Sequence, residues 1–263
     1  MRINGCWIII KLVNAREIFA KTALTKTAIS GFDYCLNPFV GCGHGCRYCY
    51  ASFMRRFTDH REPWGEFVDV KINVPHLLRR QLKRVKRGMV SLSTVTDPYQ
   101  PLEKRYRLTR ACLKVLLEFQ FPVNLLTRSP LCLRDMDLFK RFEDFEIGIS
   151  ITTDDEGVRK IFEPRSPPIP LRLKALEILR REGIETYAFI GPMLPLDPKR
   201  MVSMLDGLVS EVLIDRMNYP NRVKRLYRNH GLDTYLTDDY FNFTGKDLKE
   251  HFEKKGIRVS PIF

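Results

Sequence analysis

The sequence predicts an α/β fold built on a parallel sheet. Two observations carry that reading. Short apolar runs alternate with helical periods six times between residues 34 and 214, the pattern of parallel strands joined by crossover helices. No linker interrupts the 263 residues, and a chain of that length can bury one sizeable core. A hydrophobic content of 44% is that of an ordinary globular protein.

The elements follow in order. Residues 1–27 read as a leader. Within it, 7–13 is mostly apolar and suits an extra strand or an unstructured extension, and 14–20 carries no evident chemistry. Residues 34–40 form the first strand and feed a run rich in cysteine and glycine. A short helix over 50–57 follows, then a loop over 62–66 punctuated by Pro63 and Gly65. Residues 76–87 predict a basic amphipathic helix. Leu78, Leu82 and Val85 mark its buried face. Arg79, Arg80, Lys83, Arg84, Lys86 and Arg87 make it the densest positive run in the chain, either a solvated helix back or a phosphate contact.

Strand two spans 89–95 and ends in a polar, proline-containing loop over 94–101. Helix 106–119, strand 123–127, helix 135–142 and strand 146–151 come next. Residues 164–170 predict a loop, because four prolines interrupt them. Helix 171–181 stops at Gly183. Strand 185–190, helix 198–209 and strand 211–214 complete the alternation. The tail beyond 215 interleaves Arg222, Lys224, Arg225 and Arg228 with Tyr219, Tyr227, Tyr235, Tyr240 and Phe241. Two readings fit it: a helical cap with an aromatic core, and a surface that stacks bases and neutralises phosphates. A last amphipathic helix covers 246–255.

A net charge of +13 favours a polyanionic partner such as DNA or RNA over a neutral one, or else simply serves solubility. The apolar run at 6–10 is too short to span a bilayer. It also lacks a signal-peptide cleavage pattern, so a cytoplasmic protein is expected. Seven cysteines, an odd number with three in a metal-binding spacing, argue against a secreted disulfide framework.

Those three are Cys42, Cys46 and Cys49, in a C-x-x-x-C-x-x-C spacing among Gly41, Gly43 and Gly45. Thiolates are soft ligands suited to iron–sulfur clusters or zinc. Three of them can hold three irons of a four-iron cluster and leave the fourth open to a small molecule. Structural zinc wants four ligands. His44 is the one neighbour that could complete that set, though its place inside the first loop strains the reach. Cys6, Cys35, Cys112 and Cys132 are scattered and read as incidental or core thiols, so no second cluster is expected.

With an aromatic before its last cysteine, this spacing resembles the signature of the radical S-adenosylmethionine (radical SAM) enzymes. The longer string Asn37-Pro38-Phe39-Val40-Gly41-Cys42-Gly43-His44-Gly45-Cys46-Arg47-Tyr48-Cys49-Tyr50-Ala51 resembles the branch related to spore photoproduct lyase, often called DNA repair photolyase. The resemblance runs over about 21–213. It implies a partial (β/α)6 TIM-type barrel over 28–215 with a helical C-terminal cap over 216–263. It also implies a 4Fe-4S cluster on Cys42, Cys46 and Cys49, with S-adenosylmethionine on the open iron. Reductive cleavage of S-adenosylmethionine would yield a 5′-deoxyadenosyl radical that takes hydrogen from a substrate. A nucleic-acid base, repaired or modified, is the substrate that the basic composition favours. A protein, peptide or metabolite substrate is the alternative, and a non-catalytic cluster protein that binds nucleic acid is another.

Residue by residue, the resemblance places Tyr48 beside the adenine and Thr96 and Asp97 at the methionine end of the cofactor. It places Arg128 at the cofactor carboxylate, Ser150 at the ribose, and Gly191 with Pro192 along the adenine. Tyr50 and Tyr99 either line the substrate space or pack. An external electron donor such as ferredoxin or flavodoxin is implied. Spore photoproduct lyase carries a hydrogen-donating cysteine after its second strand. Here Thr94 stands in its place, with Ser91 and Ser93 nearby, and none is a donor comparable to a thiol. No catalytic hydrogen donor is assigned.

Overall fold

The computed structural model describes residues 13–261 and the antiparallel pair β1 (Arg2–Ile3) and β2 (Cys6–Trp7). The extension expected over 7–13 therefore lies mostly outside the described residues. Five short strands come next: β3 (Asn14–Ile18), β4 (Leu24–Lys26), β5 (Tyr34–Leu36), β6 (Phe39–Val40) and β7 (Phe67–Lys71). Six more alternate with helices: β8 (Val90–Leu92), β9 (Val123–Thr127), β10 (Phe145–Ser150), β11 (Thr186–Ile190), β12 (Glu211–Ile214) and β13 (Arg258–Pro261). The main sheet runs β13-β12-β11-β10-β9-β8-β5-β4. Every pair in it is parallel except β4 with β5. This is the α/β fold with a mostly parallel sheet that the alternation predicts, and it is consistent with the open partial barrel that the resemblance implies.

Burial explains why these segments become strands. Leu36, Val90, Val123, Leu125, Ile147, Ile149, Ala188, Ile190 and Val212 are all 0% exposed. Near-continuous apolar runs are what a parallel sheet covered on both faces requires. The covering helices are α1 (Val74–Leu82), α2 (Glu103–Tyr106), α3 (Leu108–Glu118), α4 (Met136–Phe139), α5 (Glu156–Phe162), α6 (Ile169–Arg181) and α7 (Pro198–Leu205). A cap of α8 (Pro220–Asn229) and α9 (Asp238–Lys254) closes the end, and α9 packs on α7 and β13.

Several elements differ from the sequence expectation, each for a local reason. The strand expected over 34–40 breaks at Asn37-Pro38, where the proline has no N–H to give a ladder. Phe39–Val40 then leaves the barrel for a separate sheet, β3-β7-β6. The basic helix begins at Val74, with Pro75 in its first turn, and ends at Leu82, so Val85 lies beyond it. Arg79 makes a two-pronged ion pair with Glu118 of α3, and Arg87 pairs with Glu143 at 3.1 Å. Part of that positive run is therefore neutralised by the protein itself. The loop expected through 170 stops earlier, because α6 starts at Ile169 and accepts Pro170 in its first turn, where no intrahelical N–H is needed. The last helix begins at Asp238 rather than near 246. The Thr237 hydroxyl accepts from the Tyr240 N–H at 3.2 Å, and Asp238 and Asp239 favour the positive end of the helix dipole.

One apolar stripe of the tail joins the core. Tyr227, Phe241, Leu248 and Phe252 are 0–1% exposed. Among the described residues, no helix is long and apolar enough to cross a membrane. Leu248→Ala should lower the unfolding free energy by about 2–5 kcal/mol in a denaturant titration. A loss under about 0.5 kcal/mol, the size of an ordinary surface change, would show that α9 is not part of the core.

Candidate metal and cofactor site

The cysteine loop leaves β6 through Gly41, whose φ is +90°. A Cβ there would lie 2.4 Å from the Phe67 carbonyl oxygen, so only glycine fits. The loop after β8 holds this segment from the other side. Thr96 Oγ1 donates to the Gly41 carbonyl at 2.7 Å, and the Gly43 N–H donates to Gln100 Oε1 at 2.9 Å. Turns close both intervals between cysteines, with Gly45 N to Cys42 O and Cys49 N to Cys46 O at 3.2 Å each.

Cys42 and Cys46 are buried and Cys49 is half-buried. Burial pushes all three thiols up, Cys49 to about 12, and the Cys46 charge adds to the rise at both Cys42 and Cys49. Such thiols ionise when a bound cation supplies the missing positive charge, which is the behaviour a soft metal site needs. Trp64 buries its indole N–H by the Cys49 sulfur. Among the described residues, no three His, Cys, Asp or Glu side chains are grouped to hold a single metal ion. A four-iron cluster makes no such demand, because each thiolate takes an iron of its own. His44 is 2% exposed, with Nε2 lying 3.5 Å from Asp97 Oδ2. Burial pushes its imidazole down to about 4, against the opposing pull of Asp97.

Beside the thiols lies a buried charge network centred on Glu163, which is 0% exposed at the C-terminus of α5. Its Oε1 accepts from the Tyr48 hydroxyl and from Thr152 Oγ1, the latter at 2.9 Å. Its Oε2 accepts from Arg172 of α6. Arg128 Nε lies 3.7 Å from Glu163 Oε1, and Nη2 reaches the Tyr48 oxygen at 3.4 Å. Burial raises the Glu163 carboxyl, but Arg172 and Arg128 outweigh it and hold the group at about 2. Arg128 Nε is buried and has no hydrogen-bond partner, so this guanidinium retains a donor for an incoming anion.

All the expected site residues stand at or just beyond the carboxyl ends of the strands, where active sites of such barrels form. Tyr48, Asp97 and Arg128 are joined directly. Asp97 Oδ1 accepts from Thr127 Oγ1 at 2.6 Å and from the Tyr99 N–H at 2.9 Å, and Oδ2 accepts from the Arg128 N–H at 3.0 Å. Its carboxylate therefore shapes the loops after β8 and β9. Thr96 braces the cysteine loop instead. Ser150 joins through its carbonyl, which accepts from Arg172 Nη1 at 3.0 Å. Gly191 precedes Pro192 across a cis peptide bond and abuts the Phe189 ring, where a Cβ would meet ring carbon at 2.2 Å. Among the described residues, no hydrogen bond ties it to the Glu163 network. Tyr99 is fully buried, and its hydroxyl donates to Asp135 at 2.9 Å, so it packs and does not line an open space. Tyr50 is 45% exposed, and its hydroxyl donates to the Thr94 carbonyl.

Glu163 and Arg172 escaped sequence reasoning, though each leaves a signal. A carboxylate at a helix C-terminus opposes the helix dipole, so Glu163 needs another reason to stand there. Arg172 occupies the apolar face of α6, three residues from Ile169 and from Ala175, both buried. A charge in a core register demands a buried partner.

The family profile described as the Radical SAM superfamily matches residues 36–207. An uncharacterized protein of Methanocaldococcus jannaschii is 41% identical over 179 residues, covering 68% of this chain and 67% of that protein. A protein of Pseudomonas phage M6 named as a radical SAM Nα-GlyT isomerase is 25% identical over 183 residues, covering 69% of this chain and 35% of its own length. The matched region thus spans two thirds of the first relative and about a third of the second. Among solved structures, a spore photoproduct lyase variant with bound S-adenosylmethionine and dinucleoside spore photoproduct shares the fold. Its TM-score is 0.67 at 14% identity, over 92% of this chain and 80% of that one.

The lowered Glu163 pKa gives a stability contribution with a definite sign. It is fully present above the ordinary value of 4.5 and is lost as pH falls toward about 2. Glu163→Gln should cost about 3–5 kcal/mol at neutral pH, because Arg172 loses its charge partner. The gap to the parent should narrow once the pH drops below 4.5. Denaturant titrations across that range check this, and a gap independent of pH would show that ionisation of Glu163 is not what holds the network.

Proposed function

This chain belongs to the radical SAM superfamily, and from that premise we propose a hydrogen-abstracting enzyme acting on a base of a nucleic acid. Cys42, Cys46 and Cys49 would hold the 4Fe-4S cluster, and Arg128 would take the carboxylate of S-adenosylmethionine. One observation supports this most: two buried thiols and a half-buried one lie beside a buried guanidinium that keeps an unused donor, at the carboxyl ends of a parallel sheet. When bound, the pair of cofactors supplies a 5′-deoxyadenosyl radical able to take a hydrogen atom from an unactivated position.

The protein's own residues do the orienting. Arg128 can meet a carboxylate with parallel N–H donors, and Glu163 and Asp97 hold its plane in place. Tyr48, fixed by Glu163, offers a ring face to the adenine. The low exposure of this wall keeps water out of the reaction space. Ser150 and Gly191 would flank the nucleoside end.

The nucleic-acid reading rests on the rim. Arg222 of α8 donates to the Tyr50 carbonyl at 3.2 Å and to Ser52 Oγ at 3.1 Å. Its guanidinium lies 4.6 Å from the Tyr219 ring centre. Tyr50 and Tyr219 are 45% and 47% exposed. Half-exposed rings beside a guanidinium can stack a base and neutralise a phosphate. The spore photoproduct lyase of similar fold was solved with a dinucleoside photoproduct, which agrees with such a substrate.

Anaerobic reconstitution with iron and sulfide tests the cofactor reading. About four irons per chain and release of 5′-deoxyadenosine from S-adenosylmethionine under reduction are expected. Cys42→Ala should lose both, whereas a chain that takes up zinc alone and releases no 5′-deoxyadenosine would overturn the reading. For the substrate, Tyr219→Ala should weaken binding of a single-stranded oligonucleotide by about 5- to 150-fold, as expected for one lost stacking contact. Absence of any oligonucleotide binding by the parent at low salt would remove nucleic acid as the substrate.

A further inference from the structure

The chemistry proposed above begins with an electron delivered from outside, and the protein encloses the site that must receive it. Cys42 and Cys46 are each only 5% exposed. A donor therefore has to reach them through the cover of the cysteine loop, and Gly45 and Gly65 form part of that cover. Both have positive φ, +59° and +95°. A Cβ on Gly65 would lie 2.6 Å from the Gly45 Cα. The loop over 62–66 thus approaches the cysteine loop closely, glycine against glycine.

One guanidinium lies across both glycines. A Cβ at Gly45 or Gly65 would meet Arg165 Nη2 at 2.2 or 2.3 Å. Arg165 is exposed, and among the described residues it makes no ion pair. Arg47, exposed next to Cys46, makes none either, and its N–H donates to the Phe162 carbonyl at 2.9 Å. That bond sets Arg47 against the end of α5, whose last turn carries the exposed Lys160. The neighbouring carboxylates are committed elsewhere. Glu163 is buried against Arg172, Glu156 pairs with Arg159 at 2.9 Å, and Glu62 accepts from Asn14 at 2.6 Å. Arg79, Arg87, Arg110 and Arg216, by contrast, each have a carboxylate partner. Three exposed cations with no carboxylate partner among the described residues therefore stand on the cysteine loop, on the last turn of α5 that it meets, and across Gly45 and Gly65.

We propose that Arg47, Lys160 and Arg165 form the docking surface for an acidic electron-donor protein, which delivers its electron to the cysteine-bound cluster across Gly45 and Gly65. The inference rests on the cofactor reading above. Complementary charge would speed encounter by about 10- to 1000-fold at low salt and would be screened at high salt. One electron passes from the reduced donor to the oxidised cluster, and no bond forms or breaks in that transfer.

The test uses the reconstituted holoenzyme and a reduced, acidic flavodoxin, with cluster bleaching followed by stopped-flow absorbance. The triple variant Arg47→Glu, Lys160→Glu, Arg165→Glu should slow the second-order reduction by at least about 10-fold at low salt. The difference should shrink at high salt. Photoreduced deazaflavin, a small donor that needs no docking, should reduce parent and variant alike, and iron content should match. Arg165→Glu alone should give a smaller change in the same direction. A control reversal on the far basic run, Arg80→Glu with Lys83→Glu and Arg84→Glu, should stay within about twofold of the parent, as distant rim charges steer weakly. Unchanged flavodoxin kinetics in the triple variant, or an equal slowing in the control, would overturn the docking surface. A parent with full iron that deazaflavin cannot reduce would instead sink the cofactor reading, and the docking surface with it.

Discussion

The candidate site depends on one buried carboxylate. Glu163 has no exposure, yet it is held ionised by Arg172 and Arg128 and accepts hydrogen bonds from Tyr48 and Thr152. A buried charge is costly unless its partners are well placed and its lone pairs are filled. Glu163 meets both conditions, and in doing so joins four separate pieces of chain: the cysteine loop, the strand-end loops after β9 and β10, and α6. Stability is a poor reason to keep such a network, because apolar residues could fill the same volume. Fixing Arg128 beside the Tyr48 hydroxyl is a better one, since under the proposed function a cofactor carboxylate would then meet a guanidinium already in position.

The barrel explains why those four pieces meet. Parallel strands end at one face, so the loops that follow them converge there whatever their sequences. The small β3-β7-β6 sheet adds a floor beneath the cysteine loop, because the Phe67 carbonyl presses against Gly41. β7 also seats the glycine-covered loop that precedes it. The packing of the sheet and the cover of the thiols are therefore linked through β7, by Gly41 against Phe67 and by Gly65 against Gly45.

The sequence made the barrel strands and the three cysteines legible, because each leaves a local signal: apolar runs of strand length and thiols at fixed spacing. β3, β7 and β13 were not legible for the opposite reason. β3 exposes three polar residues of its five, Asn14, Arg16 and Glu17, and is a strand only because Phe67–Lys71 lies alongside it. β13 is four residues long and owes its conformation to β12. Glu163 and Arg172 were missed because their roles are relations between distant segments, nine residues apart in sequence but joined only once α5 and α6 fold back. The basic run at 79–87 shows the reverse error. Its charge density is plain in the sequence, but the partners Glu118 and Glu143 lie on other elements.

Net charge of +13 is thus a sum over unlike environments. Where an arginine has a carboxylate within reach, as Arg79, Arg110 and Arg134 do, its field is spent inside the molecule. Among the places that keep theirs are α8 at the rim, where Arg222 leans on Tyr219, and the cover of the cysteine loop, where Arg165 spans two glycines. They sit against different parts of that loop. Arg222 bonds the carbonyl of Tyr50, just past the last thiol, whereas Arg165 lies over Gly45, between the first two. A polyanionic substrate and an acidic electron donor would both seek positive charge. With separate cationic patches on one loop, an enzyme can hold its substrate while it is being reduced, and the two anionic partners need not compete for a single surface.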